Sequence, residues 1–92
     1  MKSLHDATLL FVAFEWELAK VSFAFETREG RVDLFAEGVT DLHIPKKKEW
    51  GSRVGVNELR GPSKAEHGLY RIEIEMQTGD VISIVARSFQ MP

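Results

Sequence analysis

The residues with the most chemistry to offer lie in one segment, Ile44-Pro45-Lys46-Lys47-Lys48-Glu49-Trp50-Gly51-Ser52-Arg53. Three lysines and an arginine surround a tryptophan in a stretch that reads as loop. Such a mixture can hold a single strand of nucleic acid, by attracting phosphates and stacking bases. It also suits an acidic protein surface, where Trp and Arg act as energetic anchors. The bland reading is a solvated lysine run beside a tryptophan that caps the end of a barrel. Lys46, Lys47, Lys48, Trp50 and Arg53 are the candidate binding residues, and a protein is a better partner for them than nucleic acid. Four positive charges are a thin footprint for phosphates on a chain whose net charge is −2.

No other constellation carries a recognisable reaction. His5, His43 and His67 are far apart, and no pair has the i, i+2 or i, i+4 spacing of metal ligands within one element. His5-Asp6 reads instead as a tether for the N-terminal segment, its carboxylate accepting backbone N–H bonds. Gly51-Ser52-Arg53-Val54-Gly55 puts its serine in the wrong place for a nucleophile elbow. Neither G-x-G-x-x-G nor a Walker sequence occurs. Acids abound, and Glu73 and Glu75 share a strand face, but that face reads as solvated. An enzymatic or small-ligand barrel would have to gather Glu37, His43 or Glu58 in a concave pocket. The expectation is therefore a protein that is not an enzyme and needs no metal or cofactor.

Positioning such a segment falls to a small scaffold. The sequence has 92 residues, 43% of them apolar and 28% charged, which fits a single globular domain over residues 1–92. A chain of this size buries roughly 60–65% of the surface it exposes when unfolded. It has no cysteine, so disulfides, zinc–thiolate sites and thiol nucleophiles are excluded. The first residues lack the pattern of a signal peptide. The longest apolar run, Ala7 to Phe14, is far short of the roughly 20 residues that span a bilayer. These features imply a cytoplasmic protein. Charge is segregated: residues 1–45 carry eight acids and four bases, whereas residues 46–71 carry seven bases and three acids.

Periodicity supplies the elements. Tyr70, Ile72, Ile74 and Met76 alternate with Arg71, Glu73 and Glu75, the mark of a strand with one buried face. Gln77-Thr78-Gly79-Asp80 then turns into the β-branched run Val81 to Ala86, completing a hairpin. Near the start, Thr8, Leu10, Val12, Phe14 and Trp16 fall on one face of a strand, and Leu9, Phe11 and Ala13 on the other. Both faces are apolar, so this strand should be central, or covered by a second copy of the chain through a face that includes Leu9 and Phe11. Glu17-Leu18-Ala19 would be its turn, although it lacks Gly, Pro and Asn, and a helix over 6–20 is the alternative. A one-sided strand over 20–27 follows, and then alternation from Arg31 that Gly38 interrupts with a bulge or bend. Val54-Gly55-Val56 reads as a short strand, and Gly61-Pro62-Ser63 as the start of a loop. The expected fold is all-β: a small antiparallel barrel or sandwich of about six or seven strands, built from hairpins.

Three segments together resemble a known group: Leu4-His5-Asp6-Ala7-Thr8-Leu9, Trp50-Gly51-Ser52 with Val56-Asn57-Glu58, and Met76-Gln77-Thr78-Gly79-Asp80-Val81-Ile82. The chain is similar to small bacterial β-rich proteins of unknown function, some of which look like predicted immunity proteins of bacterial toxin systems. The resemblance implies a bacterial, cytosolic, protein-binding domain, in one form a toxin neutraliser. It assigns a role to no residue.

Overall fold

Apolar residues that alternate along a strand must be buried on one face. The computed structural model, which describes residues 4–46 and 54–92, shows six strands that do this. They are β1 (Thr8–Glu15), β2 (Lys20–Thr27), β3 (Gly30–His43), β4 (Val56–Lys64), β5 (Tyr70–Met76) and β6 (Val81–Gln90). A 3₁₀ turn, Glu66–Gly68, lies between β4 and β5. The strands form one antiparallel sheet in the order β1-β2-β3-β6-β5-β4. Among the described residues no helix is long and apolar enough to cross a membrane.

The long strand β3 rolls the sheet. Its first half pairs with β2, from Gly30 opposite Thr27 to Glu37 opposite Lys20. Its second half pairs with β6, as far as His43 opposite Ser83. Where one partner gives way to the other, Gly38 adopts φ +65, and a Cβ there would run into the Arg87 side chain. Only glycine takes that backbone freely, so the expected bend is real. Inward side chains from both halves meet in one core: Phe23, Phe25 and Leu34 from one side, Ile72, Ile74, Met76, Ile82 and Ile84 from the other. The two ends of the sheet touch once, at a Thr8–Gly55 bridge. Backbone bonds from Leu9 N to Val54 O (3.0 Å) and from Val56 N to Ala7 O (2.8 Å) stitch them. Among the described residues the ladder stops there, so the sheet is rolled and not closed into a barrel.

Three expectations need correction. β1 is a strand, as read, and not a helix, but it lies at the end of the strand order. Its pairing slips between Leu9, opposite Phe25, and Phe11, opposite Ala24, so Leu10 is an extra residue. The bulge shifts the phase: Leu9 joins the core and Val12 packs against it, whereas Leu10 and Phe11 are exposed. The apolar face proposed for a second copy therefore does not exist as drawn, because Leu9 points inward. Gly61-Pro62-Ser63 also lies inside β4. The strand is at the sheet's end, where a proline can be tolerated, and its register slips between Arg60 and Ser63.

Candidate functional site

The turn between β1 and β2 has the composition of a core and the position of a surface. Trp16 is 82% exposed and Leu18 66% exposed, with Phe14 beside them at 42%. The Phe14 and Trp16 rings meet edge to face, with centroids 5.6 Å apart. Ala19 closes the turn at φ +48, a left-handed backbone that costs an alanine about 1 kcal/mol or more. Two backbone bonds hold it: Ala19 N donates to Trp16 O at 3.2 Å, and Val39 N donates to Ala19 O at 2.8 Å. The second bond ties the turn to β3 just beyond the Gly38 bend. Between them opens a cleft of about 570 Å³, lined by Phe14, Trp16, Val39 and Leu42 with Asp41 among its walls. Strain of this kind persists where the surroundings enforce it, and it collects at functional places.

The outer face of the sheet treats its aromatic rings differently. The Arg31 guanidinium lies 5.0 Å from the Phe11 ring centre, and the Lys20 ammonium lies 5.4 Å from that of Phe35. Each ring is thus covered by a cation of the chain itself. Across β4 and β5, Arg60 bonds to Glu58 at 3.0 Å and Glu75 at 2.9 Å, and lies 3.7 Å from Glu73. Asn57 donates a further bond to Glu75 at 3.0 Å. The Arg60 hydrogen bond, and then that of Asn57, hold the Glu75 carboxyl below its ordinary range, while the two glutamates raise Arg60. This exposed network engages Arg60, one of the seven bases in residues 46–71.

The candidate residues read from the sequence fare unevenly. Lys46 is exposed just beyond β3. Lys47, Lys48, Trp50 and Arg53 lie outside the described residues. His5 and Asp6 do tether the N-terminal segment, but by other bonds than expected. His5 Nδ1 bonds to Asn57 O at 2.6 Å, and Asp6 accepts from the Gln77 side-chain amide at 2.8 Å. Among the described residues no group of three His, Asp or Glu could hold a metal ion. Glu37, His43 and Glu58 are not brought together: they sit opposite Ser88, Ser83 and Glu75 respectively. His43 alone of the three lines a broad depression of about 590 Å³, with Asp41, Arg71, Glu73 and Ser83. No hydrogen bond joins Ser83 to His43 or His43 to Asp41 among the described residues. Sequence reasoning passed over Trp16 and Leu18. The available signal was Glu17-Leu18-Ala19, a turn with none of the residues that ease a turn.

No protein-family model matches the chain, and no curated protein matches it. Its fold is similar to a crystal structure of an uncharacterized protein from Neisseria gonorrhoeae. The TM-score is 0.62 at 14% sequence identity, over 97% of this chain and 93% of that one. The likeness bears on the rolled six-stranded architecture alone.

Proposed function

We propose that this chain is a binding domain for another protein and that the β1–β2 tip is its contact surface. The observation that carries the reading is Trp16, 82% exposed at a strained turn beside Leu18 and Phe14. A buried tryptophan removes about 150–250 Å² from water, so covering Trp16 and Leu18 offers a partner on the order of 4–5 kcal/mol before the costs of association. Exposed Trp beside other apolar groups is also the usual composition of an interface hot spot. The toxin-neutralising reading is one form of this function and rests on the resemblance alone. The segment Lys46–Arg53 stays a second candidate contact, on the strength of its sequence.

The test is site-specific photocrosslinking in the native host. A photoreactive amino acid replaces Leu18 in one strain and Thr78, in the opposite hairpin's turn, in another. One discrete protein adduct at position 18 and none at 78 is the expected result. Absence of an adduct at 18, or the same adduct at both positions, would sink the reading.

A further inference from the structure

The tip is acidic as well as apolar. Glu15 and Glu17 flank Trp16 in the chain, both exposed, and Asp41 lies on the wall of the adjoining cleft. None of the three makes an ion pair among the described residues. The rest of the surface shows how this protein treats a solvent-facing ring. Phe11 and Phe35 each sit under a cation of the chain, Arg31 and Lys20 respectively. Among the described residues Trp16 is the most exposed large apolar residue, tryptophan is the best cation acceptor of the aromatic types, and no described cation covers its ring. An exposed ring on an acidic tip, sharing an apolar cleft with Asp41, calls for one kind of side-chain pattern.

We infer that the tip receives a basic segment of the partner protein. An arginine or lysine of that segment lies over the Trp16 ring, drawn by the negative charge of Glu15, Glu17 and Asp41 around the tip. A neighbouring apolar side chain enters the cleft of Phe14, Val39 and Leu42. This rests on the protein-binding reading above and adds the chemistry of the partner. Charge argues against the other occupants. A second copy docked tip to tip would bring the acids of one tip toward those of the other, and like charges brought together oppose association. Phosphates would meet the same repulsion.

The experiment is selection from a random-peptide display library on wild-type protein, with counter-selection on a Trp16→Ser/Leu18→Ser variant whose fold is checked by circular dichroism. Winning peptides are then measured by fluorescence anisotropy. Peptides with Arg or Lys next to an apolar residue are expected. Their binding should fall about tenfold or more on Trp16→Ser. It should fall roughly three- to tenfold on Glu15→Gln/Glu17→Gln, and further as salt is raised. Peptides that need Trp16 but are neutral or acidic, and indifferent to the Gln variant, would overturn the basic-partner proposal and leave the protein-binding reading standing. No peptide that separates wild type from the Ser variant would overturn the proposal, and the photocrosslink at position 18 then decides the reading by itself. Self-association of the wild type in sedimentation, lost in the Ser variant, would replace the basic segment by a second copy.

Discussion

The molecule contains two hairpins with opposite ends. The β5–β6 turn, Gln77 to Asp80, is made of turn residues. Gly79 supplies φ +95. Thr78 and Asp80 bond to each other, and Met76 N donates to Asp80 O at 2.8 Å. Asp80 is nearly buried. Everything there serves the fold. The β1–β2 turn closes an equally regular antiparallel pair with an alanine in a left-handed backbone and leaves a tryptophan and a leucine in water. The same chain has solved the same local problem twice, once cheaply and once at a cost. Stability does not account for the second solution; the proposed contact with another protein would.

The contrast can be broken first with core against tip. Ile84→Ala, in the β6 wall of the core, should cost about 2–5 kcal/mol of unfolding free energy. Leu18→Ala should stay within about 0.5 kcal/mol of wild type. Equilibrium unfolding in urea measures both. Similar losses at the two positions would mean that the tip is part of the core. A second pair of variants exchanges the turn chemistries. Gly79→Ala puts a Cβ on a backbone that rejects it and should lose about 1–2 kcal/mol. Ala19→Gly removes a Cβ from a similar strain and should gain up to about 1 kcal/mol. A loss at position 19 would show that the turn is not strained.

Much of the β5–β6 region was legible because its strands are half-buried and its turn follows the usual residue rules. Ile72 to Met76 and Val81 to Ile84 alternate on either side of the turn, so phase and face could be read directly, although Tyr70, read as part of the buried face, is exposed, and Val85 is buried between Ile84 and Ala86. β1 resisted because of one extra residue. The bulge at Leu10 carries no mark in the sequence, and it moves Leu9 from one face to the other. Gly61-Pro62 looked like a loop because those residues usually leave a sheet, and only the place of β4 at the sheet's end accommodates them. The exposed tip was hidden for a similar reason. Apolar residues at strand spacing imply core, and whether the strand's last residues overhang that core depends on tertiary placement. The basic segment was legible as a charge run, and four of its five candidate residues lie outside the described residues.

The smallest expected effect concerns the acid-rich face of β4 and β5. Arg60 lowers the Glu75 carboxyl in the folded protein, so Glu75 favours folding at neutral pH. That contribution is complete above the unfolded-state value and fades as pH falls through the folded one. Arg60→Met should raise the Glu75 titration midpoint, as read by NMR, and make the acid side of the stability curve shallower. An unmoved midpoint would mean that the Arg60–Glu75 bond does not form in solution.

The most direct test of the central claim is the stability of Trp16→Ser/Leu18→Ser by urea unfolding, with the site-18 photocrosslinking partner, once identified, assayed for binding to the same protein. The account predicts an unfolding free energy within about 1 kcal/mol of wild type and loss of the partner. A large drop in stability would place both side chains in the fold, and undiminished binding would place the contact elsewhere; either result contradicts a tip kept apolar for a partner.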